Sequence, residues 1–198
     1  MTQHGRMARL PVVLGTDDLP IAELCAARLD GELFAIDEGW APVDEPDLPA
    51  FRAAVIALRA PRRLVIERLS AAWVHGGLAT PPAVAQFCVP LSSRIAVIAD
   101  HRAVVREVRI EASEIVDLGG IRCTSVVRTG FDLLREPTID DGLVDVTVGA
   151  LIASHRGLGS GLRRRLDAAT RLPHKASALI RLDRAEAVAG AAGALSRR

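Results

Sequence analysis

The sequence predicts an α+β protein: helices mixed with a small sheet, a truncated winged-helix-like N-terminal segment and a helical C-terminal end. Three observations carry that expectation. Apolar residues recur at helical spacing in several segments, Phe51, Val55 and Leu58 among them. Short β-branched runs bounded by turn residues lie between those segments, as in Val104 to Ile110. Finally, 49% of the 198 residues are hydrophobic, which excludes wholesale disorder and lets a chain of this length bury a core without disulfide or metal staples.

Taken in order, Asp18-Leu19-Pro20 opens a short helix through about Asp30, with Ile21, Leu24 and Cys25 on one face. Leu33, Phe34 and Ile36 then lead through a turn at Asp37-Glu38-Gly39 into a second strand, Trp40 to Val43. Helix followed by hairpin is the tail of a winged-helix unit. No second, basic helix lies between them to enter a major groove. The Pro- and acid-rich stretch 42–49 is a connector.

Helices are expected at about 47–59 and 62–75, the second with Val65, Leu69, Ala72 and Trp73 on its buried face and Gly76-Gly77 closing it. Strands are expected at Val84–Val89, Ala103–Ile110, Glu114–Leu118 and Ile121–Cys123. Thr124 or Ser125 caps a helix through Arg135 that is apolar on most sides, with one polar stripe of Arg128, Asp132 and Arg135. The remainder, about 139–154, 160–172 and 174–195, reads as helical, and the glycines of 157–161 read as a helix break. Three segments result: a helix plus hairpin at 1–48, an α/β unit at 49–154 and a basic helical segment at 155–198.

Charge is segregated although the net is only +1. Residues 16–50 hold ten acids (Asp17, Asp18, Glu23, Asp30, Glu32, Asp37, Glu38, Asp44, Glu45, Asp47) against Arg28. Residues 155–198 hold ten cations against Asp167, Asp183 and Glu186. Such asymmetry points to a basic interaction surface at one end, and to an acidic end that masks it or meets a basic partner. On the helix carrying Leu162, Leu166, Ala169 and Leu172 inward, Arg163, Arg164 and Arg165 fan across the outer side, with Arg171 and Lys175 beyond. These five are the candidate contacts to DNA phosphate. Asp167 is placed to pair with Arg171 at i, i+4, and the other arginines have no obvious helical partner.

Catalytic chemistry finds little purchase. Cys25, Cys88 and Cys123 form no paired motif and read as buried thiols, and His4, His75, His101, His155 and His174 have no metal-ligand spacing. Lys175 is the only lysine, so no Asp…Glu-x-Lys nuclease arrangement exists, and no phosphate-binding glycine loop occurs. Asp140-Asp141 reads as helix N-terminal charge, Thr124 and Ser125 as caps, and Arg128–Asp132 as a buried pair. Tyrosine is absent and the six other aromatics are needed for packing, which disfavours stacking on single-stranded nucleic acid. No metal, cofactor or membrane association is expected, and with no spanning run or secretory leader the expected location is cytoplasmic.

Two motifs carry a family resemblance: Ser70, Ala72, Trp73 and Gly76 in the 63–77 segment, and Thr124, Ser125, Arg128, Thr129, Asp132 and Leu133 in the 119–136 segment. Over roughly residues 16–150 the chain resembles the AbiEi-type antitoxins of type IV toxin–antitoxin (abortive infection) systems. That resemblance implies a winged-helix domain joined to an α/β antitoxin domain, binding to double-stranded operator DNA for autorepression, and a nucleotidyltransferase-like partner toxin that the protein counteracts. Here the winged-helix region is shortened and acidic. The expected function is therefore a non-enzymatic, antitoxin-like transcriptional regulator that touches DNA backbone through its C-terminal basic helices. The alternative is a protein-interaction module that has lost DNA binding.

Overall fold

The structure, a computed structural model, describes residues 11–59, 64–92 and 101–195. The N-terminal stretch read for a leader and the first two residues of the helix expected at 62–75 lie outside these.

The fold class is α+β, as the sequence predicts. Helix α1 (Ile21–Leu29) leads into the hairpin β1 (Leu33–Ile36) and β2 (Gly39–Pro42), whose turn holds Asp37 at φ 54°. Leu14 bridges Trp40 on the outer side of β2, so the helix is enclosed by strand residues on either side in sequence. Gly39 is required there: a Cβ would lie 2.7 Å from Val13 and 2.6 Å from Leu58. Of the face expected to be buried, only Leu24 is; Ile21 is 52% exposed and Cys25 is exposed as well.

Helix α2 (Pro49–Ala57) follows, and then comes a departure from expectation. Val65–Ile66 form strand β3, and the helix, α3, runs only over Arg68–Val74. Arg68 sits at φ 45°, a left-handed turn that separates the two elements. A short apolar run reads equally as buried strand or helix, and here β-branched Val65 and Ile66 take the centre of a sheet. The remaining strands are β4 (Ala85–Pro90), β5 (Ala103–Val108), β6 (Ile115–Asp117) and β7 (Arg122–Thr124), with a 3₁₀ turn at Ala112–Glu114. Their order is β5-β4-β3-β7-β6. Strand β3 pairs antiparallel with β4 and parallel with β7; β4 and β5 are parallel, and β6 and β7 antiparallel.

Four helices close the chain: α4 (Val126–Arg135), α5 (Asp141–Ser154), α6 (Leu158–Ala168) and α7 (Lys175–Leu195). The break expected at the glycine run falls at its start, where α5 ends at Ser154 and α6 begins at Leu158. Gly157, at φ 79°, is the N-cap of α6, and Gly159 and Gly161 lie inside its first turns. Gly159 is packed under Glu186 of α7, where a Cβ would meet the carboxylate at 3.1 Å.

Two cores meet at α3. Ala71, Trp73 and Val74 face one, with Phe51, Val55, Ile56, Ile66, Phe87 and Ala41 of the hairpin. Ala72 faces the other, where Phe131, Leu133, Leu134, Val148, Leu151, Leu162, Leu166 and Leu182 gather. Each fully buried leucine contributes roughly 1.5–3 kcal/mol. Helices α6 and α7 thus share a core with α3 to α5. No helix among the described residues is long and apolar enough to cross a membrane.

Candidate functional site

Strand β7 delivers the chain to α4 in a way that consumes the hydroxyls of the second motif. The Ser125 side chain accepts a hydrogen bond from Arg128 N at 3.3 Å, making it the N-cap. Thr124, fully buried, shares a 2.7 Å hydroxyl contact with Thr129. His75, at the C-terminus of α3, donates from Nε2 to the Thr124 carbonyl at 2.7 Å. Burial lowers the His75 pKa, with the Thr124 carbonyl opposing and the nearby His155 adding to the fall.

The polar stripe of α4 turns inward. Arg128 Nε donates to Asp132 at 2.8 Å, and Nη1 donates to Glu114 at 2.6 Å and to the Arg109 carbonyl at 3.0 Å. The pair anticipated from spacing is therefore one link in a longer chain. Arg106 of β5 donates to Glu67 at 2.6 Å and lies 3.5 Å from Asp132. Arg68 joins Glu67 to Glu136, each at 3.0 Å. Glu114 completes the chain by accepting from Arg165 of α6.

Glu67 is wholly buried, and burial pushes its carboxyl above the usual range despite Arg106 and Arg68. Burial also opposes ionisation of Glu114, but the Arg165 hydrogen bond and Arg128 hold it below that range. Sequence reasoning missed Glu67, Arg68, Arg106, Glu114 and Glu136. The one available signal was a Glu–Arg pair embedded in the apolar 64–74 run.

Beside this network an open cleft of about 710 Å³ runs between the ends of β4 and β5 and the outer face of α4 and α6. Arg109, Glu111, Glu114, Arg128, Phe131, Arg135 and Arg165 give it its character. The Arg135 and Arg165 guanidiniums lie over the Phe131 ring, 4.9 and 4.3 Å from its centre. Phe131 itself is 7% exposed.

The five C-terminal cations are not brought together as one free patch. Arg163 is engaged by Asp183 at 2.7 Å and by Glu186 of α7. Arg165 is held by Glu114 and Phe131. Lys175 caps the end of α6, donating to the Asp167 and Ala169 carbonyls at 3.0 and 2.9 Å. Only Arg164 and Arg171 of the five are exposed with no ion pair among the described residues. The Asp167–Arg171 pair does not form, because α6 ends at Ala168 and places Arg171 outside the helical spacing. Partners for Arg163 come from another helix, which no i, i+4 reading registers.

The N-terminal acids divide as well. Asp37, Glu38 and Asp47 are paired with Arg59, Arg102 and Arg52. Asp17, Asp18, Glu23, Asp30, Glu32, Asp44 and Glu45 have no ion pair among the described residues.

Every hydroxyl of the second motif is committed to backbone or to another hydroxyl. Burial pushes the Cys88 thiol up to about 12, and raises Cys123 as well. No group of three or more His, Cys, Asp or Glu with metal-binding geometry occurs among the described residues. This arrangement holds a fold and presents guanidinium groups; Cys123 Sγ lies 3.7 Å from His75 Nε2, but the thiol is buried with its pKa raised, and that nitrogen donates to the Thr124 carbonyl.

No family model and no curated protein matches the chain. Among solved structures, the crystal structure of the RV2827C protein from Mycobacterium tuberculosis is similar at 17% identity and a TM-score of 0.46, covering 91% of this chain and 76% of that one.

Proposed function

We propose that the protein is a cytoplasmic, antitoxin-like regulator that acts by binding, with no catalysis of its own, and that it contacts the backbone of double-stranded operator DNA. The observation that carries this reading is the way the 124–132 segment is used. Its Thr, Ser, Arg and Asp residues, the ones that resemble the antitoxin motif, form the hydrogen-bonded junction on which α4, the sheet and α6 all rest. DNA contact then falls to Arg164 and Arg171, which of the five candidate cations are the two left exposed and unpaired among the described residues. Arg163, Arg165 and Lys175 serve the fold. A nucleotidyltransferase-like toxin is the activity such a regulator would counteract.

A gel-shift titration against the chain's own upstream region tests the reading. Two phosphate contacts, with the counterions they release, correspond to a slope of log affinity on log salt of about −1.8. Exchanging Arg164 and Arg171 for Ala abolishes the shift, whereas Arg163→Ala leaves the slope unchanged. Absence of binding at low salt refutes it.

A second reading, a module that binds a basic partner protein, is favoured by the seven carboxylates of the N-terminal segment that have no ion pair among the described residues. The same segment exposes Ile21 and Leu29, the latter 88% exposed. Co-elution with the product of a neighbouring gene, lost on charge reversal of Glu23 and Asp30, supports that alternative.

A further inference from the structure

The cleft beside α4 contains a cation that the fold does not satisfy. Arg135 Nε is buried with no hydrogen-bond partner, and its guanidinium is in no ion pair among the described residues. Every other arginine that closes the cleft from α4 or α6 is anchored by carboxylate: Arg128 by Asp132 and Glu114, Arg165 by Glu114. Arg135 instead shares the Phe131 ring with Arg165, the two guanidiniums lying 4.9 and 4.3 Å from the centre of a single phenyl group. Burial and the neighbouring charges of Arg128, Arg106 and Arg165 lower its pKa, with Asp132 opposing. Four arginines line the cleft, Arg109, Arg128, Arg135 and Arg165, against the two glutamates Glu111 and Glu114. The described lining therefore carries two surplus positive charges.

A buried donor left unmade is costly, and converging like charges add to that cost. Both are relieved at once by an oxyanion seated between Arg109, Arg135 and Arg165. We propose that this cleft is a binding site for a small phosphate-bearing anion: orthophosphate or the terminal phosphate of a monoester such as a nucleoside monophosphate. A phosphate group near neutral pH carries about −1.5 to −2, matching the surplus, and offers three acceptor oxygens to guanidinium forks. Phe131 is covered by both arginines, so the floor offers no ring for base stacking. Recognition therefore rests on the phosphate. The site would let ligand occupancy stiffen the junction of β5, α4 and α6, which makes it an effector site rather than a part of the DNA contact.

Calorimetric titration of the full chain at constant ionic strength, with orthophosphate, a nucleoside monophosphate and a short DNA duplex in separate arms, tests this. Saturable binding of orthophosphate is expected. Tighter binding of the nucleoside monophosphate assigns the source as a phosphomonoester, and equal binding assigns it as free phosphate. Arg135→Gln and, on the exposed rim, Arg109→Gln should each weaken the affinity at least about tenfold, the loss of one charge-assisted contact. Arg164→Gln should bind phosphate as the parent does, which separates this site from the proposed DNA contact. Because Arg135 is uncompensated, Arg135→Gln without ligand should melt no lower than the parent, and both cleft variants, unlike Arg164→Gln, should show a smaller thermal upshift with phosphate. No saturable phosphate binding, binding unchanged in both cleft variants, or binding confined to the duplex overturns the proposal.

Discussion

Replacement of Arg128 by Met examines the network at its centre. Removing one member of a buried ion pair costs about 3–5 kcal/mol, since the other charge is left without its partner in a poorly solvated place. Arg128 has three partners, the Asp132 and Glu114 carboxylates and the Arg109 carbonyl, and is 8% exposed. Two features soften the loss: Arg106 remains 3.5 Å from Asp132, and Arg165 remains on Glu114. The expected destabilisation is therefore at the lower bound, about 3 kcal/mol. For a chain of this length that corresponds to a fall in Tm of roughly 6–12 °C.

Urea unfolding followed by far-UV circular dichroism measures it, with the shift in midpoint read at constant m. The double variant Arg128→Met, Asp132→Leu strands no charge on α4, so it should recover at least about 1 kcal/mol of the single variant's loss. A loss below about 1 kcal/mol for Arg128→Met, the range of exposed pairs, would refute the view that the network is desolvated and structural. A double variant no more stable than the single would refute the account of why the loss occurs.

Other expectations follow from single contacts. His75 is held below its ordinary value of 6.5, so on acidification the unfolded chain takes up the proton first. The stability owed to the neutral ring is complete above that value and declines below it. Tm should thus fall more in the parent than in His75→Gln between about pH 7 and pH 5.5, a window above the carboxylate range; parallel curves would contradict this. Gly149→Ala places a Cβ 3.0 Å from the Ala185 carbonyl of α7. Overpacking of about 1–3 kcal/mol should outweigh the roughly 1 kcal/mol gained in helix propensity, so the melting temperature should drop rather than rise. In the native protein a disulfide reagent at mildly alkaline pH should modify exposed Cys25 rapidly, and buried Cys88 and Cys123 only on unfolding. Rapid labelling of all three would place Cys88 and Cys123 at the surface.

Local signals in the sequence located most of the elements. The hairpin at 33–42, strands β4 to β7 and helices α4 to α7 are legible because alternation, turn residues and caps act over a few neighbours, as Ser125 and Asp140 do in capping α4 and α5. The exceptions have a common cause. Val65–Ile66 became a central strand because β4 and β7 flank it, and Ile21 and Cys25 stay exposed because none of the described residues covers that side of α1. Neither fact is encoded within the segment concerned.

What the sequence by itself determined is the class of the fold, the asymmetry of charge along the chain, and the Arg128–Asp132 spacing that puts both groups on one helical face. Tertiary structure alone decided which charges are spent. Arg163 meets Asp183 across twenty residues, Arg165 meets Glu114 across fifty-one, and Arg135 meets no carboxylate among the described residues. Helical periodicity fixes neighbours three and four residues apart, whereas electrostatic compensation depends on distances of a few ångström between elements distant in the chain. Whether an arginine is a strut or a free contact is therefore settled only when α6, α7 and the sheet come together.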